Sequence, residues 1–138
     1  MKYNVCVLLA LVLCAAGSLR AAEEKKETKV ADISHADLAS AVKEKKVVLI
    51  DCNGSETYNK GHIPGAVDFT AEKEIAKKLP EDKNALVVAY CGSEKCTAYK
   101  SGAEAALKLG YTNVKHYAPG LAGWKKSGEQ LASADEKK

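Results

Sequence analysis

Cys91 follows the apolar run Ala85-Leu86-Val87-Val88-Ala89-Tyr90 and opens a short polar loop, Gly92-Ser93-Glu94-Lys95-Cys96. An alanine-rich amphipathic stretch begins at Thr97. A thiol placed where a buried strand hands over to a helix stands among backbone N–H groups, at the positive end of the helix dipole. Both favour thiolate over thiol. The expected chemistry is therefore nucleophilic, with sulfur as the attacking atom. Cys96 is a second thiol within the same loop. It reads either as a resolving thiol that closes a Cys91–Cys96 disulfide or as a small apolar residue at the helix start. Cys52 directly follows another apolar run, Val47-Val48-Leu49-Ile50 with Asp51, and reads first as core filler.

The elements that must position these thiols follow from the pattern of apolar residues. Val30 to Ile33 is expected as a short strand, and Ser34 as the N-cap of a helix from Ala36 to Lys45 with apolar positions Leu38, Ala41 and Val42. Val47 to Asp51 and Ala85 to Tyr90 are continuous apolar runs, as expected of strands covered on both faces. Between them lie a helical turn at Ser55 to Lys60, a glycine and proline loop at Gly61 to Ala66, a short strand at Val67 to Phe69, and a helix from Ala71 to Leu79 stopped by Pro80. Thr97 to Leu109 reads as a helix ended by Gly110, Val114 to Tyr117 as a last strand, and Leu121 to Lys126 as a short helix carrying Trp124. Strands alternating with helices predict an α/β fold with a mostly parallel sheet covered on both faces. Ligands of such sheets bind beyond the carboxyl ends of the strands, which puts Cys52 and Cys91 at one edge. Tyr99 and Tyr111 read as surface aromatics; Tyr90, Tyr117 and Trp124 read as core.

Residues 1–22 have the pattern of a signal peptide. Lys2 precedes the apolar run Val5 to Ala16, small residues follow it, and cleavage is expected near Ala21 or Ala22. The apolar run is short for a bilayer span, and Leu13 before Cys14 argues against a lipoprotein site. An exported protein, periplasmic or secreted, is the expectation. Residues 23–29 form a charged linker, 30–128 one domain, and 129–138 a polar tail. Removing Lys2 and Arg20 leaves 19 basic residues against 18 acids, since no acid lies in 1–22, so the mature chain is nearly neutral. That balance gives no support for binding nucleic acid or a membrane surface. Arg20 is the only arginine, so cationic contacts in the mature chain fall to lysine, histidine and backbone N–H. Cys52, Cys91 and Cys96 remain after cleavage; three thiols cannot all pair within one chain.

Three segments together resemble the rhodanese-like (single-domain sulfurtransferase) family. They are Leu49-Ile50-Asp51 followed by Gly61-His62-Ile63-Pro64-Gly65-Ala66, then Tyr90-Cys91 with its loop and helix, then Gly120-Leu121-Ala122-Gly123-Trp124. The resemblance implies a central sheet of about five strands flanked by helices. It also implies that Cys91 accepts a sulfane sulfur from thiosulfate, polysulfide or a persulfide, becomes a persulfide, and passes the sulfur to a thiol or cyanide. Gly92, Ser93, Glu94, Lys95, Cys96 and Thr97 would bind the substrate, their amides cradling the anion. Asp51, His62, Gly65 and Trp124 are assigned structural parts, with His62 fixing its loop in preference to acting as a base. The implied partners are a small sulfur-containing anion or thiol as donor and a thiol acceptor; no cofactor, no metal and a monomer are expected.

The sequence departs from the family pattern at the arginines. Active loops commonly carry one five positions after the cysteine, where Cys96 stands, and another often follows the aspartate of the second strand, where Cys52-Asn53 stand. Lysine cannot fork onto two oxygens as guanidinium does, so thiosulfate is expected to be a poor donor. Two other readings stay open: a thiol–disulfide protein working through Cys91 and Cys96, and an inactive rhodanese-like binding module or soft-metal site built from Cys91 and Cys96, with or without Cys52. A phosphatase reading fails, because position 97 is threonine and not arginine.

Overall fold

The computed structural model describes residues 29–70 and 72–134. The expected signal segment, residues 23–28 of the linker, Ala71 and residues 135–138 lie outside them. Five strands and five helices follow one another: β1 (Ala31–Asp32), α1 (His35–Lys43), β2 (Val48–Asp51), α2 (Ser55–Lys60), β3 (Ala66–Asp68), α3 (Glu72–Ala76), β4 (Val87–Tyr90), α4 (Tyr99–Lys108), β5 (Val114–His116) and α5 (Gly120–Lys126). The strands form one sheet in the order β1-β5-β4-β2-β3. Every pairing is parallel. β4 is the central strand.

Alternation along the two apolar runs divides the core between the faces of this sheet. Leu49, Val88 and Tyr90 pack with Leu38 and Ala39 of α1 and with Leu121 and Trp124 of α5. Ile50, Val87 and Ala89 pack with Ile75 of α3 and with Ala103, Ala105 and Ala106 of α4. Ser34 caps α1 as its sequence position predicts, accepting a hydrogen bond from the Asp37 amide at 3.1 Å. α4 lies close to the sheet because Gly102 has no side chain. A Cβ there would come within 2.6 Å of Cys52 Sγ and 2.9 Å of Ile50 Cγ2.

Three local expectations are corrected. The helix expected from Ala71 to Leu79 is α3, ending at Ala76 and followed by turns; Pro80 has no N–H to give the Ala76 carbonyl and its ring would clash there. Tyr111 is not a surface residue. It is only 3% exposed, donates to the Pro80 carbonyl and carries the Lys83 ammonium 4.2 Å over its ring. The expected tail is tied down through residue 134. His62 and Ala132 form an antiparallel bridge, and the Asn59 carbonyl accepts from the Ser133 hydroxyl and the Ala134 amide. Polar composition concealed this docking, because its bonds run largely through the backbone.

Candidate active site

Cys91 sits at the carboxyl end of the central strand, with Cys52 beside it at the end of β2. The Cys52 amide donates to the Tyr90 carbonyl at 2.9 Å. The loop after Cys91 is pinned from outside the sheet. Leu121 N–H donates to the Cys91 carbonyl at 2.8 Å, and Ala122 N–H to that of Gly92 at 2.9 Å. A further bond, from Cys96 N–H to the Ser93 carbonyl at 3.0 Å, closes the loop on itself. The first turn of α5 can approach so near only because residue 120 is glycine. At φ +60°, a Cβ on Gly120 would lie 2.5 Å from the Cys91 carbonyl oxygen and 2.8 Å from Ser93 N. The sequence singles out Gly120 only as part of a motif; its contact with the loop is invisible in local pattern.

The sulfurs of Cys91 and Cys96 meet. Cys91 donates its thiol hydrogen to Cys96, and backbone N–H groups bear on both: Tyr99 and Gly92 on Cys91, Ala98 and Gly92 on Cys96. Of the three amides on the sulfurs, that of Gly92 belongs to the expected Gly92–Thr97 segment, whereas Ala98 and Tyr99 lie beyond it. They belong to a tightened first turn of α4, in which Lys100 and Ser101 bond back to Thr97 and Ala98.

The expectation that Cys91 is the ready thiolate is overturned. Cys91 is 1% exposed, and burial, followed by donation to Cys96, pushes its pKa up to about 11. Cys96 is half-buried. Desolvation opposes its ionisation, but the hydrogen bond from Cys91 and the Ala98 and Gly92 amides outweigh it and lower its pKa. The two thiols titrate as a pair, in which burial of Cys91 and the hydrogen bond to Cys96 favour the charge on Cys96. Sequence reasoning misses this because it depends on which sulfur lies deeper beneath the loop.

Cys52 faces α4, donates weakly to the Ile50 carbonyl at 3.9 Å and is pushed up to about 12 by burial. Asp51 is fully buried. Its carboxylate accepts from Tyr90 O–H at 2.6 Å and from the Asn53 amide and side chain at 2.8 Å each. Ile63 N–H in turn donates to the Tyr90 hydroxyl at 3.1 Å. This chain joins β2, β4 and the Gly61–Ala66 loop without a cation. His62 donates through Nδ1 to the Tyr58 carbonyl at 2.7 Å and stacks on the Tyr58 ring. Gly65 takes φ +83° in the same loop. Trp124 is buried with its Nε1–H on the Gln130 carbonyl at 2.9 Å.

Ser93, Glu94 and Lys95 form one wall of a groove of about 320 Å³, whose other wall is Pro119, Ala122, Gly123 and Lys126. Thr97 lies exposed at the loop end. Tyr99, expected at the surface, is half-buried and stacked on His116 with ring centres 3.4 Å apart; His116 is held by the Asp32 carboxylate at 2.9 Å. Among the described residues no group of three His, Cys, Asp or Glu side chains converges as a metal set, so Cys52 does not join Cys91 and Cys96 in the soft-metal site considered from the sequence.

The rhodanese-like domain model matches residues 34–127. The thiosulfate sulfurtransferase GlpE of Coxiella burnetii is 27% identical over 95 residues, covering 67% of this chain and 85% of that protein. The HTH-type transcriptional regulator Rv0324 of Mycobacterium tuberculosis is 31% identical over 99 residues, 70% of this chain; the chain spans only 42% of that relative's length. In three dimensions, the human single-domain sulfurtransferase TSTD1 superposes with a TM-score of 0.56 at 20% identity, over 71% of this chain and 97% of that one. The parallel five-stranded sheet, the strand-end cysteine loop and these matches agree: the chain belongs to the rhodanese-like domain family.

Proposed function

We propose that this protein is a sulfurtransferase that carries sulfane sulfur as a persulfide on Cys91. The observation that carries the reading is the seat of Cys91: at the end of the central strand, in the position that opens the family's loop, with the Gly92 and Tyr99 amides on its sulfur. The bias of charge toward Cys96 does not bar attack by Cys91. Moving the shared proton from Cys91 to Cys96 places the thiolate on the deeper sulfur without taking a proton from solvent. That thiolate attacks the outer sulfur of a donor R–S–S⁻. The donor's S–S bond breaks, RS⁻ leaves, and Cys91–S–S⁻ remains in the field of the loop amides. An incoming thiolate or cyanide then takes the outer sulfur and returns the Cys91 thiolate.

The groove beside the loop is the route for donor and acceptor. Lys95 and Lys126 offer point charges there, Glu94 opposes them, and the wall formed by Pro119, Ala122 and Gly123 is largely apolar. Such a lining suits a polysulfide or an organic persulfide better than a compact dianion, which would be held bidentately by guanidinium. Thiosulfate is therefore the weaker donor. Incubated with polysulfide and cyanide, the protein yields thiocyanate faster than the protein-free mixture, with a lower rate from thiosulfate, and Cys91→Ser abolishes the excess with both donors. An excess over the protein-free reaction that survives Cys91→Ser would move the carrier to another thiol. Export belongs to the same proposal and rests on the run Val5 to Ala16 with the small residues after it; a mature amino terminus beginning near Glu23 in material recovered from outside the cytoplasm is its check.

A further inference from the structure

The loop holds more than transfer to an outside acceptor requires. One thiol carries the sulfur; a second, in hydrogen-bond contact with it, is the more exposed of the two and stands where an arginine is common in this family. We infer that Cys96 resolves the Cys91 persulfide, so that the loop reduces sulfane sulfur to hydrogen sulfide and closes a Cys91–Cys96 disulfide. The inference rests on the persulfide chemistry proposed above and adds the fate of the sulfur.

The step balances within the site. The Cys96 thiol first passes the proton it took from Cys91 to the outer sulfur of Cys91–S–S⁻, and the Cys96 thiolate so formed attacks Sγ of Cys91, forming a Cys91–Cys96 bond. The bond between Cys91 Sγ and the outer sulfur breaks, and the outer sulfur leaves with the electron pair as HS⁻. Over uptake and release together the sulfane sulfur is reduced by two electrons, one from each cysteine sulfur as the pair passes from thiols to disulfide. Two routes are open to a thiolate beside a persulfide, and leaving-group basicity separates them. Attack on the outer sulfur must expel the thiolate of Cys91, a strong base in this buried seat. Attack on the inner sulfur expels hydrosulfide, a much weaker base, and is favoured. Cys52 does not compete. Its sulfur is packed against Gly102 of α4, and burial keeps it a thiol. Reopening the loop needs two electrons from outside, so the cycle requires a thiol or dithiol reductant as its last substrate.

The test uses the full mature protein, reduced, desalted and kept free of oxygen, with inorganic polysulfide as the probe and no added thiol. After a brief incubation and removal of excess polysulfide, intact mass and peptide mapping report the state of the loop. The expected result for the wild type is loss of two hydrogens, mapped to Cys91–Cys96. For Cys96→Ser it is the gain of one sulfur, mapped to Cys91 and stable until cyanide or a thiol is added. A wild-type protein that instead keeps the added sulfur on Cys91 overturns the inference and leaves the sulfurtransferase reading standing. A disulfide mapped to Cys52 overturns it as well. If neither protein gains sulfur nor loses hydrogen, the persulfide reading itself fails. Should Cys96→Ser not fold, the wild-type map decides alone, and sulfide formed from thiosulfate without added thiol gives an independent measure.

Discussion

The two loop sulfurs differ in ionisation because they differ in depth and in which one donates. Cys91 loses hydration and spends its proton on Cys96; Cys96 loses less water and gains that proton's field together with two amides. The sign of the pH dependence follows. Thiolate at Cys96 appears below the pH at which an ordinary thiol ionises, whereas thiolate at Cys91 accumulates only as pH approaches about 11, and at Cys52 about 12. A small alkylating agent at neutral pH should therefore label Cys96 first, with Cys91 and Cys52 lagging by roughly tenfold or more, as expected when thiolate fraction sets the rate. Replacing Cys96 by serine removes both the anion that receives the Cys91 hydrogen bond and its repulsion of a second charge. Burial remains, so the titration of Cys91 should move below about 11 without reaching that of Cys96 in the wild type. Peptide mapping across a pH series reads all of these. Equal labelling of Cys91 and Cys96 would show that the hydrogen bond does not polarise the pair.

The elements that carry the site were largely legible from sequence, and the reasons are local. The apolar runs at β2 and β4 mark strands buried on both faces, Ser34 marks a helix start, and strand ends in a parallel sheet mark the edge where Cys52 and Cys91 meet. Contacts between elements distant in sequence were not legible. The loop is held by the first turn of α5, and nothing in the local pattern around Gly120 says that a carbonyl oxygen of residue 91 will lie 2.5 Å from where its Cβ would be. The burial of Tyr111 and the direction of the Cys91–Cys96 hydrogen bond were concealed for the same reason: each is decided by what packs above it. Gly120→Ala should test how firmly α5 sets the loop. The added methyl meets backbone, which cannot swing aside, and φ +60° is strained for alanine. Overpacking and strain together predict a loss of about 2–4 kcal/mol. They also predict slower persulfide formation at temperatures where the variant is still folded. Denaturant midpoints with an unchanged slope give the first, and single-turnover sulfur uptake the second. An unchanged midpoint would mean the α5 turn yields readily and is not what shapes the loop.

At the scale of the molecule, the sheet is covered by α3 and α4 on one face and by α1 and α5 on the other, and the segment after α5 completes the second cover. It leaves α5 at Ser127, gives the Gln130 carbonyl to Trp124 Nε1–H at 2.9 Å, exchanges two backbone bonds between His62 and Ala132 at 2.9 Å each, and reaches the Asn59 carbonyl through Ala134 N–H at 3.1 Å. Between these, Leu131 packs over Gly61, where a Cβ would lie 3.1 Å from Leu131 Cδ1. The strap thus joins the end of α5 to the end of α2 and to the Gly61–Ala66 loop, and through Ile63 and Tyr90 to the buried carboxylate of Asp51. A domain cut after Gly128, close to where the family match ends, would forfeit these four hydrogen bonds and the cover over Gly61. At about 0.5–1.5 kcal/mol per bond, less the entropy regained by the freed segment, the expected loss is about 2–4 kcal/mol. Leu131→Ala removes only the packing and should cost about 1 kcal/mol, because the side chain is half-buried. Chemical denaturation of the full chain, the shortened chain and Leu131→Ala separates backbone bonding from side-chain cover. If the shortened chain unfolds with the full one, the strap lies on the fold without stabilising it. If it unfolds earlier while its thiols label at the native rates below the transition, the strap sustains the fold and leaves the sulfur pair to α4 and α5.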